Sequence, residues 1–274
     1  QPETAGVTAT RARLPMRRHV CTLAVGVSSL LLVACASAGV PPCTAATRSP
    51  DCIRVLFIGN SYTAVNDLPA KFRVIAAVRR HAVYTEMIAP GGVRLADHAV
   101  SPEVLDRIRF GHWNFVVLQE QSRIPSVEQS REEQMFPAAR ALVREIRHAG
   151  SRPVFYATWA RKDGWPEQGM PDYGAMQEQI SWAYRTIGEE LHAFVAPVGH
   201  AWALVSAERP DIPLWQDDGS HPTEQGTFLA ANVLVATLFR EVPQGLGTRG
   251  RIPKVQVHAL QETAARVTQG AALR

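Results

Sequence analysis

The stretch Ile53-Arg54-Val55-Leu56-Phe57-Ile58-Gly59-Asn60-Ser61 decides the fold. Its first six residues form a short, mostly apolar run, which is typical of a strand buried on both faces of a parallel sheet. Gly59-Asn60-Ser61 has the residue types of a turn. Asp67-Leu68-Pro69 then offers an N-cap aspartate and a proline in the first helical turn. The pattern predicts strand, turn and helix in succession.

The same unit recurs along the chain. We predict further strands around residues 83–88, 115–118, 154–158 and 194–198, with helix-length amphipathic stretches between them, one of which covers residues 128–149. A last helix runs from Pro222 to about residue 240. Five strands alternating with helices favour an α/β protein, a three-layer α/β/α sandwich around a parallel sheet. Ligands bind such sheets at the carboxyl ends of the strands, so the residues that follow each strand are the candidate site.

An export signal precedes this pattern. Met16-Arg17-Arg18-His19 is basic, and residues 20–34 form an uncharged apolar run of secretory length, too short for a comfortable membrane span. The run ends in Leu32-Val33-Ala34-Cys35, which resembles the bacterial lipobox, so we expect Cys35 to carry lipid. The alternative is ordinary signal cleavage at residues 36–38.

The chain thus divides into three predicted parts. Residues 1–35 are the signal and lipobox segment, 36–52 a Pro-rich tether, and 53–274 the folded domain. Because the chain opens on a residue other than Met, we expect residues 1–15 to lie upstream of the true start at Met16. The expected location is the periplasm or cell surface, with a lipid anchor in the membrane.

The charge balance argues against a nucleic-acid partner. The 274 residues hold 29 basic and 25 acidic side chains, a formal net charge of +4. Four arginines and one glutamate of this total lie in residues 1–34, so the rest of the chain holds 25 basic and 24 acidic groups. A nearly neutral domain has no electrostatic footprint for a polyanion.

The cysteines indicate a disulfide and not a metal site. Cys21 lies in the signal and Cys35 in the lipobox, which leaves Cys43 and Cys52 as the pair expected to close a small loop before the first strand. No CxxC or Cys/His cluster has zinc spacing, so no metal is predicted.

Two strand-end motifs together supply a nucleophile, a base and an orienting acid. Ser61 follows the first strand, and Asp218-Gly219-Ser220-His221 precedes the last helix. An aspartate three residues before a histidine can fold back to orient the imidazole. Asp217 is the alternative acid, but it lies four residues from the histidine.

In these motifs the chain resembles the SGNH (GDSL-type) hydrolase superfamily, whose members share a flavodoxin-like fold and hydrolyse esters. The resemblance covers residues 53–240 and implies Ser61, Asp218 and His221 as catalytic residues. It also implies an oxyanion hole, with the amides of Ser61 and Gly92 as donors, Gly92 being favoured over Gly91. The usual third block is Gly-x-Asn-Asp, and here we expect Gln119 to stand for its asparagine.

The resemblance implies a serine esterase that needs no cofactor and acts on an acyl or acetyl ester, carried by a small molecule or a carbohydrate. The alternative is a non-catalytic envelope lipoprotein that binds saccharide or lipid on the same scaffold. A lipase is a third interpretation, although no long apolar lid favours it.

Other residues near the predicted strand ends have two interpretations each. Glu120 could act as an acid or base, or fix a loop. Asp97-His98 could line the cleft or form a solvated helix start. The tryptophans could stack on sugar rings or fill the core; they are Trp159, Trp165, Trp202 and Trp215.

Overall fold

The computed structural model of the protein describes residues 43–241 and 252–271. The predicted signal segment, Cys35 and the first part of the predicted tether lie outside these residues. In the part of the chain that is described, no helix is both long enough and apolar enough to cross a membrane.

Within the described residues, five parallel strands form one sheet in the order β2-β1-β3-β4-β5. The strands are β1 (Cys52–Ile58), β2 (Ala82–Ile88), β3 (Phe115–Leu118), β4 (Arg152–Tyr156) and β5 (Phe194–Ala196). Because β1 pairs with β2 on one side and with β3 on the other, the strand order reverses at β1 and β3. Doubly wound sheets bind their ligands in the crevice at that reversal.

Helices follow the strands. They are α1 (Ser61–Ala64), α2 (Leu68–Val78), α3 (Leu95–His98), α4 (Pro102–Phe110), α5 (Glu128–Ser130), α6 (Phe136–His148), α7 (Tyr173–Glu190), α8 (Val198–Glu208), α9 (Glu224–Phe239) and α10 (Lys254–Ala271). Single 3-10 turns lie at Ile124–Ser126 and Pro166–Gln168.

Both faces of the sheet are covered, as the side chains of β1 show. Val55 and Phe57 join a core with residues of α2, α8, α9 and α10. Leu56 and Ile58 join a second core with residues of α4, α6 and α7. All four side chains are at most 1% exposed. This confirms the predicted three-layer α/β/α sandwich, and the strand order is the flavodoxin-like one.

The helical pattern departs from the prediction in two places. The predicted helix over 128–149 is interrupted by a π-helical turn at Arg131–Met135, just before Pro137, whose missing N–H prevents a regular α-helical ladder there. The predicted strand over 194–198 ends early, because Val198 begins α8. That helix is apolar on most sides, so its sequence lacks the polar face that indicates a helix.

The predicted disulfide is present in the structure. Cys43 and Cys52 are bonded and close a small loop at the start of β1. The guanidinium of Arg54 donates to the carbonyls of Thr44 and Ala45, at 3.3 and 3.1 Å. This end of the predicted tether is therefore attached to the folded domain.

Candidate active site

Ser61 is the first residue of α1, directly after the carboxyl end of β1. Asn60 caps the helix, because its Oδ1 accepts a hydrogen bond from the Tyr62 amide at 3.2 Å. Only glycine fits at position 59, since a Cβ on Gly59 would lie 2.5 Å from Oε1 of Gln119. This tight turn holds the half-buried serine at the edge of the sheet.

Asp218 and His221 lie in the turn before α9. Gly219 has a φ of +64°, and its amide donates to the Gln216 carbonyl at 3.0 Å. Oδ1 of Asp218 accepts from the amides of Ser220 and His221, both at 2.9 Å, and Oδ2 bonds to Nδ1 of the imidazole. Partial burial opposes ionisation of Asp218, but these hydrogen bonds outweigh it and lower the pKa of the carboxyl to about 2.

The imidazole of His221 joins the two motifs. Its Nε2 lies 2.9 Å from Oγ of Ser61, although the residues are 160 positions apart. An ionised Asp218 on Nδ1 assigns the ring proton to that nitrogen, which leaves Nε2 free to accept the serine proton. Asp217 is exposed and forms no described hydrogen bond to the ring. The structure therefore brings together the three predicted catalytic residues and selects Asp218 over Asp217.

A stack of aromatic side chains supports the histidine turn. Tyr62 lies parallel to Trp159 with ring centroids 4.6 Å apart, and Trp159 stacks on Trp202 at 3.8 Å. Nε1 of Trp159 donates to the carbonyl of Ser220 at 2.9 Å, and the Tyr62 hydroxyl lies 2.7 Å from the Ser220 hydroxyl. Because Trp159 and Trp202 are fully buried, their faces belong to the core and are closed to a sugar.

The other two tryptophans singled out in the sequence are partly buried. Nε1 of Trp215 donates to the carbonyl of Ala160 at 3.1 Å. The guanidinium of Arg123 lies 4.5 Å above the ring of Trp165. These contacts anchor the loop that follows β4 against its neighbours.

Gln119 does not fill the predicted oxyanion role. Its Oε1 accepts from the Asn60 amide and the Thr63 hydroxyl, both at 2.9 Å. Its Nε2 donates to Oδ1 of Asn60 at 3.0 Å and to the carbonyl of Glu120. The side chain is fully buried, so it braces the turn that carries Ser61 and has no donor left for a substrate. The residue type suggested a donor, but this side chain, directly after β3, is buried against the serine turn.

Solved structures with the same architecture include one that shares 28% sequence identity with this chain. It is described as a candidate SGNH hydrolase from Slackia heliotrinireducens, and the match covers 68% of this chain and 99% of that one with a TM-score of 0.59. The present chain has the SGNH hydrolase fold. A DUF4886 family protein from Bacteroides uniformis matches with 17% identity, 80% and 95% coverage and a TM-score of 0.64. A variant of an acetyl-xylooligosaccharide esterase from Geobacillus matches with 14% identity, 73% and 97% coverage and a TM-score of 0.52.

These similarities confirm the predicted resemblance to the SGNH/GDSL-type hydrolases. No protein-family model matches the sequence, and no curated protein matches it either. The similarity therefore lies in the arrangement of strands and helices, which the solved structures share with this chain.

Two backbone amides, one after β1 and one after β2, donate to no acceptor among the described hydrogen bonds. One belongs to Ser61, at the N-terminus of α1, and the other to Gly92, in the loop after β2. Gly92 is exposed and has a φ of +74°, which a residue with a side chain rarely adopts. Nδ2 of Asn60 donates to the carbonyl of Val93 at 3.0 Å and so fixes this loop beside the serine turn.

The side-chain amide nitrogen of Gln121 is free to donate to a substrate, whereas that of Gln119 is not. Its Oε1 accepts from the Arg123 amide at 2.8 Å, while its Nε2 donates to no described residue. The side chain is half-buried and follows β3. The sequence contains a signal for this residue that the prediction of Gln119 overlooked. With Gln119 at the glycine of the Gly-x-Asn-Asp block, Gln121 falls at the asparagine.

His98 is a buried part of the site's framework. It is 2% exposed, and its Nε2 donates to the carbonyl of Gly59 at 2.7 Å. Burial lowers the pKa of His98, which favours the neutral ring. Asp97 instead pairs with Arg94 at the surface, at 2.7 Å. The two interpretations of Asp97-His98 from sequence are both wrong for His98, which neither lines a cleft nor faces solvent.

Proposed function

We propose that this protein is a serine esterase in which Ser61 is the nucleophile, His221 the general base and Asp218 the acid that orients the base. The observation that carries the proposal is the 2.9 Å contact between Nε2 of His221 and Oγ of Ser61, made while Asp218 bonds to Nδ1. This arrangement activates a serine hydroxyl for attack on a carbonyl. The SGNH-type structure with 28% identity supports a hydrolase of this class.

The reaction has two halves. Oγ of Ser61 attacks the ester carbonyl carbon as His221 takes the hydroxyl proton, and the tetrahedral intermediate then expels the alcohol, which takes that proton. Water attacks the acyl-enzyme, again through His221, and releases the carboxylic acid and the free serine. Asp218, with its pKa of about 2, stays ionised near neutral pH and stabilises the imidazolium.

Three donors form the proposed oxyanion hole. They are the amides of Ser61 and Gly92 and, in place of the predicted Gln119, Nε2 of Gln121. None of these N–H groups is used by another described residue. A donor of this kind typically contributes about 3 kcal/mol to lowering the barrier.

The proposed substrate is a short acyl ester, such as an acetyl group on a carbohydrate. Two similar structures support it, the Geobacillus enzyme and an acetyl xylan esterase that matches with 11% identity and a TM-score of 0.54. The triad is also open to a bulky alcohol, because 33% of the His221 side chain and 47% of the Asp218 side chain are exposed.

Hydrolysis of p-nitrophenyl acetate and of acetylated xylooligosaccharides tests the proposal. Ser61→Ala should reduce kcat/KM by about a thousandfold or more, as expected for loss of the nucleophile. Ser206→Ala, in α8, is the matched control and should keep parent activity. A fluorophosphonate probe should label the parent and not Ser61→Ala. Equal rates for parent and Ser61→Ala, or saccharide binding with no turnover, would overturn the esterase proposal.

We further propose that the protein is exported and anchored by lipid on Cys35. The support is the sequence over residues 16–35 alone. Palmitate labelling of the full chain in a bacterial host tests it, since Cys35→Ser should abolish the label. Processing that is the same for the parent and for Cys35→Ser would instead indicate ordinary signal cleavage.

A further inference from the structure

Glu120 is a buried carboxyl group that the proposed mechanism does not use. It lies two residues beyond the end of β3 and is fully shielded from solvent. Its Oε1 accepts two hydrogen bonds, from the Leu95 amide at 3.0 Å and from the Gln121 amide at 2.6 Å. Its Oε2 is buried and has no described partner.

The two amides belong to the two segments that carry proposed oxyanion donors. Leu95 is the first residue of α3 and ends the loop after β2, in which Gly92 lies three residues earlier. Gln121 is the residue whose Nε2 is the proposed side-chain donor. One carboxyl oxygen therefore joins the segment after β2 to the segment after β3.

We propose that Glu120 is a positioning residue that sets the spacing between the Gly92 amide and the Gln121 side chain. The proposal rests on the proposed esterase function. Glu120 cannot act on the substrate itself, because its side chain is enclosed by protein and Oε1 is occupied by two backbone donors. Its effect on the reaction passes through the segments it holds.

Other hydrogen bonds also hold these loops, but none of them connects the segment after β2 to Gln121. Asn60 holds the carbonyl of Val93, and His98 holds the carbonyl of Gly59. Both contacts connect the segment after β2 to the serine turn. Among the described side chains, Glu120 alone hydrogen-bonds both the segment after β2 and Gln121. Its loss would therefore release one edge of the oxyanion hole while the serine turn stays in place.

The chemistry of the transition state makes this spacing matter. Oxyanion donors act at about 2.7–3.1 Å from the developing negative charge, and a displacement of about 1 Å can cost a hundredfold in rate. The ground-state ester depends much less on them. Displacing the donors should therefore lower kcat and leave KM nearly unchanged.

Two conservative variants of Glu120 separate the effect of its hydrogen-bond acceptor from the effect of its negative charge. Glu120→Gln keeps a long side chain with an acceptor oxygen and removes the charge. Glu120→Asp keeps the charge and withdraws the oxygen from both amides. We expect Glu120→Gln to retain kcat within about fivefold of the parent and Glu120→Asp to lose about thirtyfold or more, with KM within about threefold for both.

The control is Asn232→Leu, which removes a fully buried polar side chain whose hydrogen bond stays within α9. It should leave kcat unchanged, because this side chain contacts neither of the two segments that Glu120 joins. The binding constant of a boronic acid, which forms an oxyanion on the serine, should weaken in Glu120→Asp and not in Asn232→Leu.

The outcomes distinguish this inference from the proposed function. If Ser61→Ala keeps parent activity, the esterase proposal itself fails. If Ser61→Ala is inactive while Glu120→Asp matches the parent in kcat, the positioning role of Glu120 is wrong and the esterase stands. A greater loss in Glu120→Gln than in Glu120→Asp would also overturn it, because the charge and not the acceptor would then be required.

Discussion

Asp218 bonds to His221 twice, through Oδ2 to the ring nitrogen Nδ1 and through Oδ1 to the backbone amide. One carboxylate thus orients both the imidazole and the main chain that carries it. The proposed base and its carboxylate therefore lie within one four-residue turn, and only Ser61 comes from elsewhere in the chain.

The first prediction concerns this carboxylate. Asp218→Asn should reduce kcat of ester hydrolysis by about a thousandfold to ten-thousandfold, because an amide no longer secures the Nδ1–H tautomer or the imidazolium. Asp217→Asn removes a neighbouring exposed carboxylate and should change kcat less than about twofold. Steady-state kinetics at pH 8 measure both variants. A larger loss of kcat in Asp217→Asn than in Asp218→Asn would show that Asp217 is the residue that orients the histidine.

The second prediction concerns Gly59. Alanine there would place Cβ 2.5 Å from Oε1 of Gln119 and 2.6 Å from the Thr63 hydroxyl, so the serine turn must shift. Gly59→Ala should therefore lower kcat by about a hundredfold or more. Gly91→Ala, where a Cβ meets nothing within 4 Å, should behave as the parent in the same assay. Comparable activity of the two variants would show that the turn tolerates the methyl group.

The third prediction separates packing from sugar binding at Trp159. Trp159→Ala should destabilise the protein by about 3–5 kcal/mol, because a fully buried ring is lost from the aromatic stack. Trp182→Ala removes a ring that is 39% exposed and should cost clearly less. Urea unfolding measures both. A weakened saccharide affinity with unchanged stability would instead indicate a sugar-stacking role.

The fourth prediction is a dependence of stability on pH that originates at Glu120. Burial raises the pKa of this carboxyl to about 7, against the opposing effect of the amides of Leu95 and Gln121. Because the folded pKa exceeds the unfolded value, the proton is held more tightly in the folded state. The contribution of Glu120 to stability is complete below about pH 4.5 and is lost as the pH rises through 7.

Glu120→Gln cannot titrate and supplies the comparison. The free energy of unfolding of the parent should fall relative to this variant by about 3 kcal/mol between pH 4.5 and pH 8. Urea unfolding curves at several pH values measure the difference. Parallel pH profiles for the two proteins would show that the carboxyl has an ordinary pKa.

The fifth prediction concerns the disulfide between Cys43 and Cys52. The bond closes a loop with a sequence separation of nine residues. The loop-entropy relation assigns such a loop about 2.5 kcal/mol of stability. Replacing both cysteines by serine should lower the free energy of unfolding by about that amount, with kcat unchanged because the bond lies at the start of β1. Unfolding of the parent in a reductant should reproduce the loss.

The sequence predicted those parts of the fold and site that depend on local patterns. The strands carry apolar runs, and Ser61, Asp218 and His221 lie in turns with recognisable residue types. Gln119 was assigned wrongly because the direction of a side chain at a strand end depends on what packs beside it. Here a glycine at position 59 opens space that the Gln119 amide fills.

Two other features could not be predicted from the sequence, because they too depend on tertiary packing. Helix α8 packs on the apolar core of the sheet and lacks a polar stripe, so its pattern resembles a buried strand. The link from Glu120 to Leu95 joins residues 25 positions apart. No periodicity connects these residues, and only the folded sheet brings them together.

The separation of 160 residues between Ser61 and His221 also bears on how the protein folds. The first strands are close in sequence, but the proposed nucleophile has no proposed base beside it until the turn before α9 docks on the carboxyl edge of the sheet. Contacts of this range are slow to form, since loop closure precedes any gain from them. We therefore expect esterase activity to recover late in refolding after dilution from denaturant, and the time course of fluorophosphonate labelling would measure when it does.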